Sequence, residues 1–153
     1  MADVHDKKTR SRNMAAVRGK DTKPELLLRR ELFRQGFRFR LHYGHLPGKP
    51  DIVLPKYRAV IHVHGCFWHG HNCPLFQWPA TREDFWQKKI TGNIARDQRT
   101  EDELKTAGWR VLTVWECALR GVGSATVEST ASRVAHWIRS GRLSGQISGK
   151  SRR

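Results

Sequence analysis

The sequence predicts an α/β fold in which a central mixed sheet is flanked by helices. Three short strand-like segments follow one another between residues 37 and 64. A fourth apolar segment, residues 109–115, comes after a long polar helix, and a further amphipathic helix lies beyond it. With two helices at the amino-terminal end, the predicted order is α-α-β-β-β-α-β-α, which is typical of an α/β core.

The first helix of the core is expected to begin at Thr22. Thr22 can cap the helix, Glu25 stands where a capping box places an acid, and Pro24 occupies the first turn, where no amide donor is needed. Gly36 is expected to end the helix. Its apolar face consists of Leu26, Leu27, Leu28, Leu32 and Phe33.

The strands are predicted from alternation and from short apolar runs. Residues 37–41 alternate aromatic or aliphatic side chains with arginine, as in a half-buried strand. Residues 51–54 form a second strand with Asp51 at its first position. Residues 59–64 form a third, which Gly65 ends.

The second half of the chain is predicted to contain two helices around the fourth strand. Thr81 is expected to cap a long helix over residues 82–105, and Gly108 to stop it. Residues 125–139 have the periodicity of a final amphipathic helix.

Composition and charge favour a polyanionic partner. The 153 residues carry a net charge of +15, which places nucleic acid ahead of a membrane surface. The length suits one core domain, expected over residues 21–140. Residues 1–20 form a basic arm with a short helix near 11–17, for which a solvated tail is the alternative. Residues 141–153 are expected to be a disordered basic tail.

Segment composition also predicts the compartment. No run approaches the roughly 20 apolar residues of a membrane span, and the first residues lack an apolar signal region. A cytoplasmic protein is therefore expected. Three cysteines, an odd number, argue against a disulfide framework in such a protein.

Histidine and cysteine cluster in a way that indicates a closed tetrahedral zinc site. The candidate ligands are Cys66, His71, Cys73 and Cys117. The helix and strand before Cys117 can return the chain to the same place. Three buried cysteines beside an unrelated histidine are the alternative, and spacing leaves His62 and His69 open as competing ligands.

A carboxylate and a histidine stand at the ends of neighbouring predicted strands. Asp51 opens one strand after a Pro-Gly-Lys-Pro loop, and His64 closes the next. Such a pair could bind Mg²⁺ and transfer a proton, as phosphodiester cleavage requires. The alternatives are a turn acceptor for Asp51 and a capping side chain for His64.

Several long and rare motifs resemble those of the very-short-patch-repair (Vsr) mismatch endonucleases, over about residues 3–120. The motifs are HGCFWHGHNC at 64–73, LPGKPD at 46–51, PATR at 79–82 with Phe85-Trp86, and GWRV at 108–111 with VWECALR at 114–120. The resemblance implies a restriction-endonuclease-like core. It also implies nicking on the 5′ side of the T in T:G mismatches that arise when 5-methylcytosine is deaminated.

The resemblance also implies roles for individual residues. Asp51 would be the Mg²⁺ carboxylate, with the backbone carbonyl of Val63 as a second ligand. His69 would be the general base, and His64 and Glu25 would support the reacting centre. Zinc would be held by the same histidine and three cysteines that spacing indicates.

Aromatic residues are implied to sense the mismatch. Phe67, Trp68 and Trp86 would enter the base stack beside it, with Met14 of the arm on the other side. Judged from composition alone, Phe67 and Trp68 could equally pack on the zinc loop. A helix face with Trp86, Lys89, Asn93 and Asp97 at i, i+3, i+4 spacing could contact the DNA groove or be a solvated face.

The chain departs from the family pattern in a few places, and the sequence is also compatible with two rival functions. Val63 stands where threonine is expected, and Gly70 and Asn72 lie in a stretch that is richer in histidine in some relatives. The expected partner is double-stranded DNA with a T:G mismatch, together with mismatch-repair proteins, for a monomeric enzyme. The alternatives are a non-catalytic zinc-dependent DNA-binding protein and a homing-type or restriction nuclease that cuts paired DNA.

Overall fold

A computed structural model describes residues 22–122 and 125–149. The elements are α1 (Lys23–Arg34), β1 (Arg40–Leu41), β2 (Ile52–Leu54), a 3₁₀ turn (Pro55–Tyr57), β3 (Ala59–His64), α2 (Glu83–Thr106), β4 (Arg110–Trp115), α3 (Glu116–Leu119), α4 (Val127–Ser140) and β5 (Ser144–Ile147). The basic arm, its predicted short helix and Met14 lie outside the described residues.

The five strands form one mixed sheet in the order β1-β2-β3-β4-β5. The first three strands are antiparallel neighbours, whereas β3, β4 and β5 run parallel. Direct connections permit the antiparallel pairs, and helices supply the crossovers that parallel pairs need. The predicted mixed α/β sheet with flanking helices is confirmed.

The larger part of the core lies between the sheet and helices α1 and α4. Apolar side chains at helical spacing on α1 and α4 meet the apolar residues of β2, β3 and β4 there, and Leu28, Leu32, Ile61, Leu112 and Ile138 are almost completely buried. The long helix α2 buries only Ile90 and Leu104. One side of α2 therefore remains available to the loops of the site.

Two predicted helix caps are wrong. Glu25 is 2% exposed and pairs with Arg29 and His42, so it forms no capping box with Thr22, whose side chain makes no cap hydrogen bond. Helix α2 is preceded by Arg82 in a left-handed conformation (φ 55°), and no side chain caps it, so Thr81 does not serve as predicted.

The tail expected to be disordered contains strand β5, so that prediction is wrong for residues 144–147. The strand pairs in parallel with β4 and buries Ile147. Arg110 secures the preceding turn, because its guanidinium donates to the carbonyls of Trp137, Ile138 and Arg142 at 2.8–3.0 Å. Backbone pairing and one distant arginine order a stretch whose composition gives little sign of structure.

Across residues 22–122 and 125–149, no helix is both long and apolar enough to cross a bilayer.

Candidate active site and metal centre

A cleft of about 1330 Å³ lies between the carboxyl end of β3, the loop at residues 65–73 and helix α2. The predicted catalytic residues all line it: Glu25, Asp51, Val63, His64 and His69. Residues from four separate parts of the chain therefore converge on one concave surface.

Asp51 immediately precedes β2, and its carboxylate is held by the neighbouring strand. The backbone N–H of Val63 donates to Asp51 Oδ2 at 2.7 Å. Burial, and to a lesser degree the nearby Glu25 carboxylate, raise the pKa of Asp51 to about 6. A cation beside this carboxylate would offset both effects, so the donor set is suited to a divalent metal.

His42, which the sequence interpretation missed, lies between the two carboxylates. Its Nε2 is 3.0 Å from Glu25 Oε2, and its Nδ1 is 3.8 Å from Asp51 Oδ1. Arg29 donates to the same Glu25 oxygen at 3.0 Å. Ligand atoms of Glu25, His42 and Asp51 all lie within 4.8 Å of one another, as in a metal site.

His69 forms a second polar group on the opposite side of the cleft. Its Nδ1 is 2.5 Å from Asp97 Oδ2, and its ring stacks on His64 with centroids 3.8 Å apart and planes 3° from parallel. Burial keeps the pKa of His64 well below its ordinary value, so the stacked partner is neutral. The helical spacing placed Asp97 on the correct face of α2, but nothing in the pattern linked it to His69.

The four predicted zinc ligands converge at the far side of the loop. Ligand atoms of Cys66, His71, Cys73 and Cys117 all lie within 4.8 Å of one another, and Cys117 Sγ is 3.7 Å from His71 Nδ1. Burial, the largest effect, raises the pKa of the Cys66 and Cys117 thiols. Three buried sulfurs and one imidazole are donors that suit a cation with affinity for thiolates.

Neither competing histidine belongs to this group. His69 pairs with Asp97, and His62 is buried on β3 with its Nε2 lacking a hydrogen-bond partner among the described residues. Burial lowers the pKa of His62 to about 4, so it is a neutral side chain under the cleft.

Two further contacts, both unforeseen, support the cysteine–histidine group. Trp115 stacks on His71 with centroids 4.1 Å apart, and its indole N–H donates to Gln146 Oε1 at 3.0 Å. The backbone N–H of Gly149 lies 3.2 Å from Cys117 Sγ. The carboxyl-terminal segment thus contributes two contacts to the site.

Gly70 explains one departure from the family pattern. Its φ is +62°, and a Cβ at this position would come within 3 Å of side-chain atoms of Ile90 and Ile94 on α2. A left-handed backbone and this close approach both favour glycine. The loop therefore lies directly on α2, with His69 beside Asp97.

Replacing Cys73 by serine is expected to lower the melting temperature by about 10 °C or more, because loss of a structural metal is among the largest single-residue effects. Thermal unfolding and elemental analysis for zinc measure this. His136→Gln, at an exposed position on α4, is the matched control and should melt like the parent protein. Full stability of Cys73→Ser together with absence of zinc from the parent protein would contradict a structural zinc site.

The aromatic side chains implied to act as wedges form one packed group. Phe67 contacts Trp68 and Trp86 with ring centroids 5.2 and 5.3 Å apart, and Trp68 lies 5.8 Å from Trp86. Trp68 is only 8% exposed, whereas Phe67 and Trp86 are half-buried. Of the three, Phe67 and Trp86 present more surface to a ligand in the cleft.

The predicted face of α2 lies against the loop. Asn93 Nδ2 donates to the carbonyl of Trp68 at 2.8 Å, and Trp86 and Asp97 contact loop residues. Lys89 lies half-buried on the same face. A fully solvated face, the alternative, is therefore excluded.

Comparison with known proteins gives the family of the chain. Residues 2–75 match the family model described as DNA mismatch endonuclease Vsr. The DNA mismatch endonuclease Vsr of Escherichia coli K12 is 52% identical over 147 residues, covering 96% of this chain and 94% of the relative. The type II nicking enzyme V.XorIIP of Xanthomonas oryzae pv. oryzae is 53% identical over 72% of this chain and 82% of its own.

A third relative, the type II nicking enzyme V.NmeAIP of Neisseria meningitidis, is 48% identical over 78% of this chain and 86% of its own. The chain belongs to the Vsr family of DNA mismatch endonucleases, which are DNA-cleaving hydrolases.

Proposed function

We propose that this endonuclease nicks the T-containing strand 5′ of the T in T:G mismatches produced by deamination of 5-methylcytosine, and that cleavage depends on Mg²⁺. The observation that carries the proposal is one cleft that presents the partly buried Asp51 carboxylate and the His69–Asp97 pair together. Membership of the Vsr family supports the mismatched substrate.

The metal would be held by the Asp51 carboxylate, with the Val63 carbonyl as the further ligand that the family resemblance implies. Oxygen donors are those that Mg²⁺ prefers, and a bound cation would favour the ionised form of Asp51, whose pKa is raised chiefly by burial. A bound Mg²⁺ would supply neutralisation of the charge that develops on the phosphate. Valine in place of threonine is compatible with a ligand that is a backbone oxygen.

His69 is assigned the role of general base. Asp97 accepts a hydrogen bond from Nδ1–H of His69, which leaves the lone pair of Nε2 to take a proton from water. The stacked His64 ring is neutral and restricts the orientation of His69 without adding a second positive charge. The ring of His69 is thus fixed by contacts on its edge and on its face.

The cysteine–histidine group is proposed to bind zinc in a structural role. His69 lies between Cys66 and His71 in the chain, so a metal that ties these residues together fixes the loop bearing the base. The same loop carries Phe67 and Trp68. Zinc would therefore affect catalysis by holding the loop that positions His69.

A nicking assay tests the proposed substrate. Duplexes with T:G, T:A and C:G at one position and identical flanks are incubated with Mg²⁺, and each strand is labelled separately. Cleavage 5′ of T only in the T:G duplex supports the proposal. Equal cleavage of the paired duplexes would instead indicate a restriction-type nuclease, and binding without Mg²⁺-dependent cleavage would indicate a DNA-binding protein.

Trp86→Ala is expected to reduce the affinity preference for T:G over paired DNA by about tenfold. A mispaired step is cheaper to open, and stacking on an aromatic ring contributes about 1–3 kcal/mol per base. Affinity for paired DNA should change little, because phosphate contacts dominate it. Binding of matched and mismatched duplexes by each variant measures the preference.

Trp78→Ala is the matched control, since Trp78 is 49% exposed and does not line the cleft. Trp68→Ala should reduce the preference too, with an added loss of stability because Trp68 is buried. Equal loss on both duplexes with Trp86→Ala would place mismatch sensing elsewhere, on Lys89 and Asn93 first.

A further inference from the structure

His42 lies directly opposite Asp51 because of the sheet register. Leu41 pairs with Ile52, and the next residue along, His42, donates its backbone N–H to the carbonyl of Asp51 at 3.1 Å. Its φ is +48°, a left-handed conformation that residues with a Cβ seldom adopt and that clusters at functional sites. The fold thus holds this imidazole beside the catalytic carboxylate.

The two ring nitrogens of His42 have different partners. Nε2 lies 3.0 Å from Glu25 Oε2, and a carboxylate only accepts, so Nε2 carries the proton. In the neutral ring, Nδ1 then holds a lone pair, and it is 3.8 Å from Asp51 Oδ1. That separation is too long for a hydrogen bond.

Glu25 is placed to orient His42. Glu25 is 2% exposed, and its carboxylate lies 3.0 Å from the Arg29 guanidinium. The negative charge of Glu25 is therefore compensated by Arg29. An acid in this position is the outer partner of the carboxylate–histidine–metal arrangement, in which a ligating histidine donates its other N–H to a carboxylate.

We propose that His42 Nδ1 and the Asp51 carboxylate together bind the divalent cation of the nuclease site, with Glu25 orienting the imidazole. In an octahedral shell, two neighbouring donors that are each about 2.1 Å from one cation lie about 3.0 Å apart, so Nδ1 and Oδ1, which are 3.8 Å apart, would approach each other by less than about 1 Å on binding. The proposal rests on the proposed metal-dependent function and deepens it. An imidazole ligand shifts the preference of the site from Mg²⁺ toward transition cations such as Mn²⁺.

Mn²⁺ binding to the zinc-loaded protein without DNA tests this directly. Electron paramagnetic resonance of free Mn²⁺ gives the affinity, competition with Mg²⁺ gives the preference, and electron spin echo modulation detects a directly bound ¹⁴N nucleus. The parent protein should show nitrogen coupling. His42→Gln should lose the coupling, and its affinity for Mn²⁺ should fall about 10–100-fold, more than its affinity for Mg²⁺.

His45→Gln is the matched control, because this exposed neighbour contacts Tyr43 and is not part of the Glu25–His42–Asp51 group. His42→Asn replaces His42→Gln if the latter fails to fold. Glu25→Gln should retain the coupling and weaken Mn²⁺ binding by about tenfold. An unchanged affinity in Glu25→Gln would overturn the orienting role.

Asp51→Asn separates this inference from the function on which it rests. If Asp51→Asn abolishes Mn²⁺ binding while His42→Gln retains both the coupling and the affinity, His42 is not a ligand and only the inference fails. If Asp51→Asn binds Mn²⁺ as the parent protein does, the metal lies elsewhere and the proposed metal site fails with it.

Discussion

Replacing Asp51 by asparagine is expected to lower the nicking rate by about 10³-fold or more while DNA binding survives. The amide is nearly isosteric and can still accept the Val63 N–H, so the local structure should persist. The lost charge would weaken the proposed metal site and with it remove several kcal/mol of transition-state stabilisation. Phosphate contacts elsewhere do not depend on this carboxylate.

Single-turnover nicking and duplex affinity, measured in parallel, check the separation between catalysis and binding. Asp102→Asn is the matched control, because it makes the same chemical change at an exposed position on α2 whose carboxylate only accepts from Gln98. Cleavage by Asp51→Asn at nearly the parent rate would show that the catalytic metal is held by other residues.

Replacing His69 by alanine is expected to slow nicking by about 10²–10⁴-fold even at saturating Mg²⁺, because a positioned general base contributes that much. Asp97→Asn should also slow the reaction, since an amide can donate to Nδ1 and favour the wrong tautomer of His69. Both effects should appear in the single-turnover rate rather than in affinity for DNA.

His136→Gln serves again as the control, and thermal unfolding must accompany the measurement because His69 packs on His64. A loss of less than about threefold for His69→Ala would move the role of general base, with His64 as the next residue to test. A large loss in His69→Ala with parent-like rates in Asp97→Asn would show that the carboxylate only anchors the loop.

Much of the architecture follows from local pattern. The sequence predicts strand β3 with the bounds that the structure shows, Ala59–His64. A short, largely apolar run that ends at a glycine is typical of a buried strand. Helix α2 was predicted within one residue at each end. The predicted cap of this helix is wrong, because the helix follows Arg82 in a left-handed conformation and the hydroxyl of Thr81 does not cap it.

The same limit applies to the site. Spacing indicated the four clustered metal ligands and the strand-end carboxylate Asp51, since scarce, chemically distinctive residues stand out in a sequence. Spacing also placed Glu25 in a cap, whereas the structure buries it against Arg29 and His42. Glu25 is compatible with a local capping motif, but its ion pairs with Arg29 and His42 decide where its side chain lies.

The sequence by itself predicted the helices α1, α2 and α4, the strands β2, β3 and β4, the family, and the cluster of Cys66, His71, Cys73 and Cys117. Only the tertiary structure decided that His42 faces Asp51, that Asp97 holds His69 and that β5 completes the sheet. The first depends on strand register, the second on how α2 packs on a loop, and the third on pairing with a distant strand. Periodicity records which side of an element is apolar, but the partners across space are set by packing of the whole chain.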